Sequence, residues 1–247
     1  MVNKLAPELI YANWQAADNV RAFTTTRIGG FSRGRWDSLN LGIQCGDDPQ
    51  CVALNRQALE QQLPSSPHWL TQVHGNRVLK FSNEPAELQE ADAIISTGSG
   101  QVCAILHADC LTVLFCNAAG TKVAAAHAGW RGLAAGIIES TVLAMDCQPS
   151  QLMAWMSPAI GPKAFEVGQD VYDVFEKQHI DNSTAFKPYK DRWLADLYKL
   201  ARLALLRTGV EQISGGEYCT YSEPDKFFSY RRDGITGRMA SVIWLES

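Results

Sequence analysis

The chain has 247 residues, of which 46% are hydrophobic and 19% charged, with a net charge of −4. That composition supports a sizeable buried core and excludes a disordered or fibrous chain. No Lys/Arg run forms a basic stripe, which argues against nucleic-acid and anionic-membrane partners.

Residues 1–20 lack a charged segment followed by an apolar one, so no signal peptide is read. Seven Cys at irregular spacing, with no CxxC, argue against a disulfide framework and a four-Cys zinc ribbon. No apolar run approaches the length of a membrane span. A cytoplasmic protein with reduced thiols is expected. Val20–Thr26 is a strand candidate ending in a Gly-rich loop, Arg27–Gly42. Trp69–His74 reads as a strand stopped by Gly75-Asn76, with a returning strand at Arg77–Phe81. Ala91–Ser96 is another short strand candidate.

The middle of the chain is densest in apolar runs. Val102–His107, Leu111–Asn117 and Lys122–His127 read as strands with a turn at Asn117–Gly120. Leu133, Ile137, Ile138, Thr141, Val142 and Met145 then recur at helical spacing. A strand follows at Leu152–Ser157, and Glu166–Gln178 and Leu194–Arg207 read as helices, with Gly209 as C-cap of the second. Phe227–Leu245 reads as two strands joined by Asp233-Gly234 and Thr236-Gly237. Strands and helices alternate only partly, so the expectation is a single α+β layered domain over residues 1–247, with mixed sheets.

Three motifs place metal-type or nucleophilic residues at strand ends: Gln72-Val73-His74-Gly75, His107-Ala108-Asp109-Cys110 and Ala126–Gly132 (AHAGWRG). Two imidazoles and a thiolate suit Zn²⁺, and three protein ligands leave a fourth position open for catalysis. Spacing alone leaves a second reading open, a buried thiol with two hydrogen-bonded core histidines.

QVHG, ADC, AHAGWRG, PAIGPKAFEVG and FFSYRRDGITGRMA occur in this order between about Thr24 and Leu245. Together they resemble the bacterial YfiH/YlmD family, formerly called laccase-domain or multicopper polyphenol oxidase. The resemblance implies one zinc held by His74, Cys110 and His127, the residues that also carry catalysis. It implies phosphorolysis of purine nucleosides (adenosine, inosine, guanosine and methylthioadenosine), together with adenosine deamination. The implied fold is a single layered domain related to a Rho-deamidating necrotising toxin. Two positions depart from the family pattern, His107 where Thr usually precedes ADC and Thr112 where Pro usually follows Cys-Leu. On a strand His107 would face away from Cys110, which favours a bystander over a fourth ligand or proton carrier.

Arg131 and the Arg231-Arg232 pair are candidates for holding phosphate, since guanidinium binds oxyanions bidentately; the alternative is pairing with carboxylates such as Asp233. Arg27 and Asn40 flank the Gly-rich loop and are candidates for sugar or phosphate contacts, or for simple turn residues. Glu166 is either a general acid/base or a helix-start residue. Met145, Met153 and Met156 read as core fillers.

Two other enzyme classes follow from the same residues. Cys110 with His127 as base would make a cysteine hydrolase or amidase, in line with the family's proposed role in editing peptidoglycan precursors. A four-copper oxidase is excluded by ligand counting, because the chain has five His and no His-x-His pair. Adventitious Cu²⁺ at the His/Cys/His group would still allow weak oxidase activity.

Overall fold

A computed structural model describes residues 6–82 and 89–247. The N-terminal half contains β1 (Leu9–Tyr11), β2 (Val20–Thr25), α1 (Pro49–Glu60), β3 (Val78–Lys80), β4 (Ala93–Ser96), β5 (Cys103–His107) and β6 (Leu111–Asn117). β7 (Val123–Ala128), α2 (Trp130–Ala134), α3 (Ile137–Met145), β8 (Leu152–Met156), β9 (Glu166–Val167) and α4 (Gln169–Gln178) follow. The chain continues with β10 (Phe186–Tyr189), β11 (Arg192–Ala195), α5 (Leu197–Thr208), β12 (Gln212–Gly215), α6 (Tyr230–Asp233) and β13 (Met239–Leu245). The α+β expectation with mixed sheets therefore holds.

A six-stranded sheet, in the order β12-β8-β6-β7-β4-β3, is antiparallel at its centre and parallel at both edges. A four-stranded antiparallel sheet, β1-β2-β13-β5, packs across one face. Val20, Ala22, Cys103, Ile105 and Ile243 of this sheet meet Leu114, Cys116, Ala125, Met153 and Trp155 of the other. On the opposite face Val113, Phe115 and Ala126 pack under Ile137, Val142 and Met145 of α3 and Ala201 and Leu205 of α5. β6 and β7 are thus covered on both faces, which is why they read as unbroken apolar runs rather than alternating ones. The outer face of the four-stranded sheet is covered by Leu39, Leu41 and Leu59, the last from α1. A small antiparallel sheet, β10-β11-β9, completes the fold.

Several expected boundaries move, each for a local reason. The helical run from Leu133 to Met145 is two helices, because Gly136 at φ 84° breaks the ladder between α2 and α3. Glu166 and Val167 pair with β11, and the helix begins only after Gly168. Leu194 is likewise a strand residue, and Asp196 caps α5 by accepting from the Lys199 N–H. Gly209 closes that helix in the left-handed conformation, as expected. Phe227–Leu245 holds one strand, not two, because Ser229 caps the short α6 before the chain enters β13.

Trp69–His74 is not a strand: Thr71 makes an isolated bridge to Glu90, and the preceding His68 makes another to Cys103. In place of a ladder, the Gln72 side chain mimics a strand partner. Its Nε2 donates to the Leu106 carbonyl and its Oε1 accepts the Leu106 N–H, both at 2.8 Å. This hook fixes the QVHG loop against the end of β5.

Candidate metal centre

Sheet register builds most of the site. Leu111 pairs with Ala128 and Thr112 with His127, so the residues flanking that ladder, Cys110 and Gly129, also lie side by side. His127 is the penultimate residue of β7, Cys110 sits in the turn between β5 and β6, and His74 approaches from the loop hooked by Gln72. The ligand atoms of His74, Cys110 and His127 all lie within 4.8 Å of one another. Cys110 Sγ is 4.0 Å from His74 Nε2, and the two imidazole centroids are 4.7 Å apart at 66°. His127 is buried, Cys110 half-buried and His74 exposed, so the group opens to solvent on the His74 side.

The glycines of AHAGWRG have a packing reason. A Cβ on Gly129 would meet Cys110 Sγ at 2.8 Å and His127 Nε2 at 3.7 Å. One on Gly132 would meet the His127 carbonyl at 2.9 Å.

Burial opposes charge on Cys110, yet the facing His127 and His74 outweigh it and hold the thiol down at about 6. Burial likewise works against the His127 cation, but Cys110 and Asp92 hold it up at about 9. A thiolate beside an imidazolium is the resulting metal-free state. The thiolate is therefore already in its donor form, whereas His127 must release a proton to the medium to ligate, since Zn²⁺ takes deprotonated Cys and neutral His.

Asp92 was missed by sequence reasoning. Wholly buried, it lies 2.8 Å from His127 Nδ1 and also accepts backbone N–H groups from Val73, His74 and Gly75. Its signal was available, a carboxylate inside the otherwise apolar run Ala91–Ser96.

The remaining candidates fall into two groups. Arg231 donates its backbone N–H to Asp109 Oδ2 at 2.6 Å, which anchors it beside Cys110. Its exposed guanidinium reaches the Glu166 carbonyl and lies over the Phe165 ring. Arg131 is exposed in the first turn of α2 and stacks on Trp130. By contrast Arg27 donates to the carbonyls of Asp37 and Pro224, and Asn40 is fully buried with both ends of its amide engaged. Arg232 pairs with Asp233 and spans the carbonyls of Thr220, Tyr221 and Phe227. The Glu166 carboxylate faces Arg192 at 3.3 Å.

His107 stands outside the metal group. It is buried, its Nε2 lies 2.9 Å from Ser241 Oγ, and Ser241 Oγ contacts Thr24 Oγ1 at 2.6 Å. Burial, then the charges of His127 and Arg238, push its pKa down to about 3, so it stays neutral.

Comparison with known proteins adds a name to this geometry. Residues 21–246 match the family model described as multi-copper polyphenol oxidoreductase laccase. The purine nucleoside phosphorylase YfiH of Escherichia coli K12 is 54% identical over 240 residues, covering 96% of this chain and 99% of the relative. A Pseudomonas aeruginosa protein, also named purine nucleoside phosphorylase, is 48% identical over 236 residues, covering 95% and 97%. Among solved structures, a Neisseria meningitidis DUF152 protein superposes with a TM-score of 0.93 at 49% identity, covering 97% and 99%. YlmD from Geobacillus stearothermophilus gives a TM-score of 0.87 at 32% identity, with 93% of each chain covered. No helix among the described residues is long and apolar enough to cross a membrane.

Proposed function

The chain belongs to the multi-copper polyphenol oxidoreductase laccase family, and from that premise we propose that it is a zinc-dependent purine nucleoside phosphorylase. The carrying observation is the convergence of two imidazoles and one thiol within 4.8 Å, open to solvent on one side. This donor set fits zinc, and with three protein ligands it is the pattern of a catalytic site. His74, Cys110 and His127 would hold the ion. Copper prefers the same donors, so adventitious Cu²⁺ is the expected contaminant.

When bound, Zn²⁺ would supply a Lewis acid facing a substrate oxygen or nitrogen. The chain's own residues do the rest. Arg231, tethered next to Cys110 and donating one guanidinium N–H to the Glu166 carbonyl, and Arg131, in the turn after His127, are the exposed guanidiniums that would orient phosphate beneath the ribose C1′. Attack by a phosphate oxygen forms the C1′–O bond as the C1′–N9 bond breaks. The proton of the hydrogen phosphate ends on the departing purine nitrogen, so ribose 1-phosphate and the neutral free base leave. Arg27 and Asn40, themselves candidates for sugar or phosphate contact, would support this indirectly, by bracing the Gly-rich loop that they flank. Deamination of adenosine at the same open position is a finer part of this reading. A single domain in a reducing cytoplasm fits both, and all seven cysteines are unpaired.

The depressed thiol of Cys110 favours one other reading, a Cys110–His127 hydrolase or amidase acting without metal. Product analysis separates them. Protein of measured metal content is incubated with adenosine, with and without phosphate. Phosphate-dependent adenine and ribose 1-phosphate are expected, whereas inosine alone would mark a deaminase. Metal-free protein that stays active in EDTA would overturn the zinc reading in favour of the hydrolase.

A further inference from the structure

We propose that Asp92 is the positioning residue of this centre, one buried carboxylate that registers both imidazole donors at once. The proposal deepens the metal-site reading above and rests on it.

Asp92 immediately precedes β4. The ladder between β4 and β7 pairs Ala93 with Ala126, which brings Asp92 opposite His127. The Asp92 carbonyl accepts the His127 N–H at 2.6 Å, and its Oδ1 lies 2.8 Å from His127 Nδ1. An ionised carboxylate only accepts, so His127 carries its proton on Nδ1 and presents a bare Nε2 once its own charge is lost to a metal. Nε2 is the nitrogen on the Cys110 side, since the space a Gly129 Cβ would fill lies between it and Cys110 Sγ.

The same carboxylate governs His74 through the backbone. The N–H groups of Val73, His74 and Gly75 reach it at 3.2, 2.9 and 2.7 Å. Three successive N–H groups converging on one anion form a concave nest. That nest holds His74 at φ 61°, a left-handed conformation uncommon for residues other than glycine. His74 and Val73 are exposed, so the apolar core gives this stretch of loop little hold. A fully buried charge is costly unless its lone pairs are met, and here one imidazole and three backbone N–H groups meet it. Asp92 thus sets one ligand by its ring and the other by its main chain.

Asp92→Asn tests this, because an amide keeps the shape but turns one acceptor into an NH₂ group facing N–H donors. Zinc affinity is measured by competition with a chelator, alongside the melting temperature of the metal-free proteins. The variant is expected to bind zinc on the order of ten- to a hundred-fold more weakly than wild type, the range typical of lost outer-shell partners. A variant that melts lower but binds zinc within two-fold of wild type assigns Asp92 a purely structural role and overturns the proposal. Long-range ¹H–¹⁵N spectra of zinc-loaded wild type give a second readout that needs no variant. A proton on His127 Nδ1 is expected, and a proton on Nε2 overturns the proposal. Wild type that binds no zinc at all overturns the metal-site reading and this proposal with it, an outcome distinct from the other two.

Discussion

Gly129→Ala isolates the space beside the Cys110 thiol. Gly129 lies at φ −60° and ψ 162°, a conformation open to any L-residue, so backbone strain plays no part. The new Cβ would stand 2.8 Å from Sγ and 3.4 Å from the Cys110 Cβ. Ordinary contact between such atoms is about 3.5–4.0 Å, so the sulfur must retreat by roughly 0.7 Å or more. Metal–ligand distances tolerate only about ±0.2 Å, so the thiolate is lost as a well-placed donor. Zinc affinity is expected to fall at least about ten-fold, equivalent to about 1.4 kcal/mol. Overpacking costs about 1–3 kcal/mol, and a chain of this size loses about 2–4 °C per kcal/mol, so metal-free protein should melt a few degrees lower. Chelator competition and calorimetry measure the two effects separately. A folded variant that binds zinc as tightly as wild type would refute the placement of Cys110 at the metal.

Cys110→Ala should abolish nucleoside turnover and remove most bound zinc while the metal-free protein melts close to wild type; full activity in the purified variant rules out this thiol's role. His107→Gln should leave zinc stoichiometry unchanged and reduce acid sensitivity. The folded pKa of His107, about 3, lies below its unfolded value of 6.5, so the unfolded chain takes up the extra proton between them. Stability is complete above the unfolded value and falls as pH drops, by about 1.4 kcal/mol per unit. Urea unfolding near neutrality and one unit below the unfolded value should show wild type losing more than the variant; parallel losses would contradict the burial of a neutral His107. Asn40→Ala strips the acceptor from the Gly42 and Arg238 N–H groups and should cost roughly 2–6 kcal/mol by denaturant titration, at about 1–3 kcal/mol for each buried group left unmet. A loss below about 0.5 kcal/mol would return Asn40 to the substrate-binding candidates.

The parts of this fold visible in the sequence are those decided locally. β6 and β7 show as apolar runs because both of their faces are covered, and α5 shows because its apolar stripe ends at Gly209. α1 was overlooked although Asp48 and Pro49 mark its start, since only Val52, Asn55 and Leu59 of its twelve residues are buried. Glu166 and Leu194 were assigned to helices because strands of two to four residues carry no period of their own. The His-Cys-His group was visible as residue types that share a chemistry. Asp92 shows in the sequence only as a carboxylate within an apolar run; its role does not, because its partners are three backbone N–H groups and one imidazole, and backbone donors leave no mark on a sequence. Arg27 and Arg231 look equivalent as letters, yet one holds two carbonyls from a half-buried position and the other touches one carbonyl and remains exposed.

The position of β13 bears on how such a chain is made. It lies between β2 and β5, with Val242 facing both Phe23 and Ala104, although it is synthesised after every other strand. During translation β2 and β5 therefore wait with unpaired inner edges, and the nascent sheet depends on shielding from other chains. The turn bearing Cys110 shares this delay, since Asp109 is pinned by Thr220 and by the Arg231 N–H from the same late stretch. A product truncated before Met239 would accordingly lack the strand that closes this sheet and would be left with open, aggregation-prone edges rather than as a weakened enzyme.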